Sequence, residues 1–260
     1  MKEFLQTQEL ENLHWCTFNP DNPTEFVAMN KKHLVFCQWE EGDPEFQYYV
    51  PKAPDSDFSG KDRARAFYTK TVFIPGTDSA VTGTVCGDIL VWDKSLLIEG
   101  IGEQHEKRLI KVVTLNHDKV HSAINILNFH DDYLVVGNEN GTIRFYDVFF
   151  KVVAWFEDLN LSTIKSISFS KTDPRPATQT PDDGEKAFSC ADFLVADNSS
   201  MVCMLQSTIF EEIDPHKKQG LPIFQGLKSQ VAALAIHPHD PILAIAGSEG
   251  YILLWNYIDK

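Results

Sequence analysis

The stretch that decides the fold is Leu134-Val135-Val136-Gly137-Asn138-Glu139-Asn140-Gly141-Thr142-Ile143-Arg144-Phe145-Tyr146-Asp147. A short apolar strand leads into a polar turn with glycine, and a second apolar strand ends on an aromatic residue followed by an acid. This pattern predicts a β-hairpin. Residues 80–93 and 243–256 repeat it, and further copies recur about every 50 to 60 residues, five in all. A single hairpin cannot bury both of its faces, so we expect neighbouring copies to stack into a scaffold that presents surfaces rather than one catalytic cleft.

Composition limits the class of partner. The 260 residues are 43% hydrophobic, which is enough for a sizeable core, and the formal net charge is −14 with a pI near 5.0. Such a surface repels nucleic-acid phosphate and anionic lipid, so neither is an expected partner. No apolar run approaches the ~20 residues of a membrane helix, and the first residues lack a signal-peptide core. These features predict an intracellular protein.

The cysteines indicate the same compartment. There are five, an odd number, and no two have the C-x-x-C spacing. Most lie within apolar runs, so they are predicted to be buried free thiols in a reducing environment, without a zinc or disulfide framework. They are Cys16, Cys37, Cys86, Cys190 and Cys203.

Turn-forming clusters of Pro, Asn, Asp and Gly separate the repeats. The predicted four-stranded repeats span residues 11–54, 65–116, 120–158, 162–215 and 228–260. Within the fourth, 171–186 is predicted to be a mobile surface insertion, and 209–213 to be the outer strand. The fifth stops where its fourth strand is due, and 2–10 could supply that strand. We expect a partial propeller, a fragment or short isoform, whose open blade edge is covered by further blades or by a partner.

Repeated four-stranded units that close on an aromatic-acid pair resemble the WD40 family of β-propellers. The structural positions of the Trp-Asp pair are Trp92-Asp93, Tyr146-Asp147 and Trp255-Asn256. The resemblance implies an all-β, WD40-type β-propeller of about five four-stranded blades. The Gly-His dipeptide of the family is poorly kept, so packing must replace much of its buried His–Ser–Asp–Trp network.

Residues 80–92 and 138–156 also resemble the cilia- and flagella-associated WD-repeat subunit of the calmodulin- and spoke-associated complex at the radial spoke base. That resemblance implies a scaffold in the cytoskeleton of the motile cilium or flagellum, at the axoneme. It would link radial spokes to doublet microtubules and help regulate dynein-driven motility, with spoke or dynein-regulatory subunits as partners and the microtubule doublet contacted indirectly. Two alternatives are a general intracellular WD40 adaptor in trafficking or ubiquitin transfer, and a propeller hydrolase.

Motifs that would carry catalysis are weak. His117 and His121 have the H-x-x-x-H spacing, but they flank the start of a strand, where surface histidines are expected instead of zinc ligands. The glycines of 100–102 lack the strand-to-helix context of a phosphate loop, and no Gly-x-Ser-x-Gly motif occurs. We therefore predict no catalytic residue, no cofactor and no metal site, and a protein that is not an enzyme.

Partner contacts are predicted at two kinds of surface residue. Basic residues could contact an acidic partner, although solvated loop and strand-edge charge is the simpler interpretation. Adjacent phenylalanines exceed what one blade needs for its core, which favours a partner face. The candidates are Arg63, Arg65, Lys107, Arg108, Phe149 and Phe150.

Overall fold

The computed structural model describes residues 11–40, 46–51, 67–94, 106–115, 122–157, 159–170, 188–205, 221–225 and 230–258. Of Phe46 and 221–225 only the backbone is described. The chain divides into two compact units, Met1–Phe129 and His130–Lys260. The described residues form strands and no helix, which confirms the all-β prediction. Among those residues, no helix has the length and apolar character needed to cross a membrane.

Two four-stranded antiparallel sheets lie in the first unit, each ordered as in the sequence. The first sheet contains β1 Trp15–Phe18, β2 Glu25–Met29, β3 Leu34–Trp39 and β4 Phe46–Tyr49. The second contains β5 Tyr68–Phe73, β6 Ala80–Thr84, β7 Asp88–Lys94 and β8 Lys107–Thr114. In the second sheet Ala80 faces Trp92 and Gly83 faces Ile89, as the hairpin pattern predicts.

The third sheet has the order β12-β11-β10-β9, the fourth β13-β14-β15-β16 and the fifth β17-β18-β19. The third contains β9 Ile124–His130, β10 Tyr133–Asn138, β11 Ile143–Tyr146 and β12 Val152–Phe156. The fourth contains β13 Ile164–Phe169, β14 Phe193–Asp197, β15 Met201–Leu205 and β16 Leu221–Gln225. The fifth contains β17 Val231–Ile236, β18 Ile242–Gly247 and β19 Ile252–Asn256.

The outer strand of the fourth sheet is β16, which pairs with β15 through Val202 and Phe224. The segment 209–213, predicted for that position, lies outside the described residues, as do 2–10 and 171–186. In the fifth sheet, three strands lie within the described residues.

Four of the hairpins share one turn geometry. Gly87, Gly141 and Gly250 have φ of +82°, +81° and +85°, and Ser200 has φ of +67°. A three-residue hairpin loop requires a left-handed residue at this position, and glycine adopts it without steric cost. Local turn chemistry therefore fixes the register of each hairpin before any sheet meets its neighbour.

Each unit has its own apolar core. In the first unit, Val27, Met29 and Phe36 of the first sheet pack with Leu90 and Trp92 of the second. In the second unit, residues from the fourth and fifth sheets share a cluster that includes Leu194, Val202, Leu243 and Ile245. These clusters show why a hairpin repeat needs neighbours, since each sheet buries a face against the next.

Three of the five cysteines are buried as predicted, and all five are free thiols. Cys16 is exposed and Cys86 is half-buried, so the prediction of burial is wrong for these two. Burial raises the pKa of the Cys37 and Cys203 thiols to about 11. At neutral pH these thiols are protonated and hence poor nucleophiles.

Candidate interaction surface

The aromatic residues at the Trp-Asp positions are structural. Trp92 and Tyr146 are fully buried, and Trp255 is half-buried against the core of the fifth sheet. The indole Nε1 of Trp92 donates a hydrogen bond to Thr82 Oγ1 at 2.8 Å, and the hydroxyls of Thr82 and Thr71 are 2.7 Å apart. A pair of threonines thus satisfies the buried indole, which the sequence pattern did not reveal.

The polar residues that follow these aromatics hold the adjacent turns. Ser79 Oγ donates to Asp93 Oδ2 at 2.7 Å. The backbone N–H of Ile258 donates to Asn256 Oδ1 at 3.0 Å. Asp93 thus links the end of β7 to the turn before β6, and Asn256 fixes the turn that follows β19.

Asp197 is a buried acid with a structural role, and sequence analysis did not single it out. Its carboxylate accepts hydrogen bonds from the N–H of Ser162 at 2.9 Å and of Met201 at 3.0 Å, and from the Ser199 hydroxyl at 2.8 Å. Burial opposes ionisation, but these donors outweigh it and lower the pKa of Asp197 below its usual value. The sequence signal that could have identified Asp197 is its position two residues before Ser199, because that spacing is typical of an Asx turn.

Lys107, one of the predicted partner contacts, is buried in the structure. Its side chain is only 2% exposed and forms an ion pair with Glu25, whose other oxygen accepts from Asn19 Nδ2 at 2.7 Å. The ammonium also lies 5.2 Å from the centre of the Phe36 ring. A buried, paired ammonium joins β2 to β8 and cannot contact a partner, so the prediction is wrong for Lys107.

Of the three arginines predicted to contact a partner, the structure describes only Arg108. Arg108 is half-buried on β8, next to Lys107 on the opposite face of the strand. Arg63 and Arg65 lie outside the described residues, as do His117 and His121. For the arginines, partner contact stays a prediction.

A polar cavity of about 290 Å³ opens beside the buried ion pair in the first unit. Lys94 and Asp78 form a second ion pair at its wall, with 3.0 Å between Nζ and Oδ2. Tyr49 also lines it and accepts a hydrogen bond from the backbone N–H of Lys107 at 2.8 Å. Burial raises the pKa of the Tyr49 hydroxyl, so it stays protonated at neutral pH. Within the part of the chain that is described, no group of three or more His, Cys, Asp or Glu residues could hold a metal ion.

The turn between β11 and β12 displays the predicted pair of phenylalanines. Phe149 is 82% exposed, Val148 beside it is 49% exposed, and Phe150 is half-buried. Asp147 Oδ1 accepts from the N–H groups of Phe149 at 2.9 Å and Lys151 at 2.8 Å. Phe149 is thus an apolar group that faces solvent from an ordered turn, while Phe150 lies partly inside it.

The fifth sheet carries a second apolar surface. Ile252 and Leu254 of β19 are 72% and 69% exposed. Their cross-strand neighbours on β18 are Ala246 and Ala244, which lie on the same face. The side chains on this face are apolar, as in the core of a sheet, yet those of Ile252 and Leu254 are exposed to solvent.

Two family models match successive parts of the sequence. Residues 3–210 match the family described as the CFAP251 N-terminal domain, and residues 220–256 match the WD domain, G-beta repeat. The chain is 36% identical to cilia- and flagella-associated protein 251 of Tetrahymena thermophila, over 95% of this chain and 26% of that protein. The Chlamydomonas reinhardtii protein of the same name is 34% identical, over 94% of this chain and 29% of its own length. The mouse protein is 26% identical over 94% of this chain. The chain therefore spans less than a third of the length of these relatives.

Solved structures share the fold at low sequence identity. The β-propeller domain of Cps50 (Swd1) from Myceliophteria thermophila superposes with a TM-score of 0.64 at 17% identity, covering 94% of this chain and 69% of that one. Raptor from Chaetomium thermophilum gives a TM-score of 0.58 at 17% identity, covering 93% of this chain and 18% of that one. These likenesses confirm the predicted β-propeller fold.

Proposed function

Because the chain belongs to the cilia- and flagella-associated protein 251 family, we propose that it is a non-enzymatic scaffold of the axoneme. The family is associated with cilia and flagella, and the chain shares that location. In this proposal the chain helps link radial spokes to doublet microtubules and regulate dynein-driven motility. Its partners are proteins, such as spoke or dynein-regulatory subunits, within an assembly like the calmodulin- and spoke-associated complex.

The observation that carries the proposal is the match to a ciliary family over residues 3–210, which include four of the inner hairpins. The buried polar groups support a scaffold role as well, because they hold sheets and turns together. The Trp92 indole, the Asp197 carboxylate and the Lys107 ammonium all bond within their own unit. Such groups rigidify a structure that binds through its surface.

Three surfaces are available for assembly. The turn that carries Phe149 and Phe150 projects from the third sheet, and Arg108 lies on the outer strand of the second. The apolar face at Ile252 and Leu254 is proposed to be covered by further blades of the same protein or by a partner strand. An uncovered apolar sheet face would otherwise favour aggregation.

A replacement experiment in a ciliated cell tests the proposal. The region is deleted from the full-length protein, and axonemes are isolated and assayed for spoke and dynein-regulatory subunits and for beat frequency. We expect loss of these subunits and impaired beating, both restored when the region is supplied again. The matching region of the Chlamydomonas relative, 34% identical, serves as a control that tests for a shared role.

Two results would contradict the proposal. One is a normal axoneme with normal beating after deletion of the region. The other is recovery of only ubiquitin-ligase or trafficking subunits with the tagged protein, which would favour the general adaptor.

A further inference from the structure

The turn between β11 and β12 of the third sheet is energetically unfavourable in the isolated chain. Among the large apolar residues that the structure describes, Phe149 is the most exposed, at 82%. In the isolated chain, this side chain forgoes the stabilisation that burial of a phenylalanine would contribute. Isolated exposed apolar residues are common, so exposure alone does not identify a contact.

The backbone of the same turn gives an independent observation. Phe150 has φ of +65°, a left-handed conformation that glycine or asparagine adopts far more readily than phenylalanine. Such a conformation is strained for a phenylalanine and persists only where the surroundings impose it. Here it turns the chain so that Phe150 is half-buried and Phe149 faces outward.

Hydrogen bonds fix this arrangement in advance of binding. The backbone N–H of Asp147 donates to the carbonyl of Lys151 at 3.0 Å, and the N–H of Phe150 donates to the carbonyl of Asp147 at 3.0 Å. The Asp147 carboxylate accepts from Phe149 and Lys151, as described above. A ring on an ordered turn loses little conformational entropy when it binds, which is how aromatic anchors gain affinity.

We infer that Phe149 is an anchor that inserts, with Val148 beside it, into an apolar pocket on a protein partner in the axoneme. This inference rests on the proposed function. Lys151 is exposed at the base of the turn, so a pocket with an acidic rim fits best. A membrane is the less fitting occupant, because two apolar side chains bury little area in lipid.

The test measures binding of the purified chain to salt-stripped axonemes by cosedimentation. We expect Phe149→Ser to raise the apparent Kd by about thirtyfold, the effect of losing a hot-spot residue. Asp147→Ala keeps the ring but removes the acceptor that orders the turn, and we expect a rise of about tenfold. The matched control is Phe67→Ser, the same change at an exposed phenylalanine just before β5, which should stay within about twofold. Circular dichroism melting checks that all three variants fold.

The outcomes separate the inference from the function on which it depends. Wild-type chain that fails to bind the axonemes overturns both. Wild-type binding that Phe149→Ser leaves unchanged overturns the anchor alone. In a parallel arm with phosphatidylcholine and phosphatidylserine vesicles, binding that depends on Phe149 would overturn the protein pocket in favour of a membrane.

Discussion

Strands β7 and β19 have nearly the same sequence and opposite surroundings. Residues 89–93 read Ile-Leu-Val-Trp-Asp, and residues 252–256 read Ile-Leu-Leu-Trp-Asn. Ile89 is fully buried, whereas Ile252 at the equivalent place is 72% exposed. The hairpin pattern therefore determines that a strand forms, and the neighbouring elements determine whether its side chains are buried.

The physical reason lies in what covers each strand. Ile89 pairs with Gly83 across the second sheet, and a Cβ added at Gly83 would lie 2.8 Å from the Ile124 side chain of β9. The face around Ile89 is thus closely covered. The other edge of β7 pairs with β8 along its whole length. For β19, no fourth strand lies within the described residues, and the face that carries Ile252 and Leu254 is exposed.

Matched serine substitutions give the largest expected contrast. Ile89→Ser loses buried apolar area and places a hydroxyl in the core, so we expect a loss of about 3–5 kcal/mol of unfolding free energy. Ile252→Ser at an exposed position should change stability by less than about 0.5 kcal/mol. Urea denaturation followed by tryptophan fluorescence measures both variants. A large loss for Ile252→Ser would mean that its face is covered in solution, which would sharpen the comparison.

Two turn glycines extend the comparison to the hairpin loops. Gly141 and Gly250 have nearly equal φ, but a Cβ at Gly141 would overlap the carbonyl oxygen of Leu161, while nothing lies within 4 Å of one at Gly250. We expect Gly141→Ala to cost about 3 kcal/mol, from backbone strain plus overlap. Gly250→Ala should cost about 1 kcal/mol, from backbone strain alone. Thermal unfolding of the two variants, compared with wild type, measures the difference. Equal losses would show that the surroundings of the turn do not matter.

The buried indole of the second sheet donates a hydrogen bond to Thr82, and Ile245 occupies the equivalent position in the fifth sheet. Thr82→Val removes the acceptor for Trp92 Nε1, and an unsatisfied buried N–H should cost about 2 kcal/mol. In a Trp92→Phe background the N–H is absent, so Thr82→Val should cost less. The double-mutant cycle measures this coupling. Strictly additive losses would exclude a contribution from the bond.

The turn at Asp197 differs from the fifth-sheet turn, where Gly247 offers no side chain to bond. The lowered pKa of Asp197 means that its stabilising contribution is complete above the pKa of an unfolded aspartate and is lost as pH falls through the folded value. We expect Asp197→Asn to cost about 1.5 kcal/mol at neutral pH, and the gap from wild type to narrow as pH falls below about 4. Urea unfolding between neutral pH and about pH 3 measures this gap. A gap that does not vary with pH would contradict the assigned hydrogen bonds.

Much of the fold could be predicted from the sequence, because turn residues and strand alternation act locally. The hairpins at Gly87, Gly141 and Gly250 formed where their patterns predicted. The candidate site was less predictable. Lys107 stands in a basic run beside Arg108, and that run indicates a surface. Strand alternation instead directs Lys107 inward, toward Glu25, which lies 82 positions away in the chain.

The sequence alone therefore determined the repeat, the β-hairpins and the resemblance to the WD40 family, since all of these follow from spacings within a few residues. Tertiary structure alone decided which equivalent residues are buried, that Lys107 is an internal ion-pair partner, and that Phe149 faces solvent while Phe150 does not. These outcomes depend on contacts between residues far apart in the chain. Burial and pairing are properties of the packed sheets, and a local pattern carries no information about the element that will lie against it.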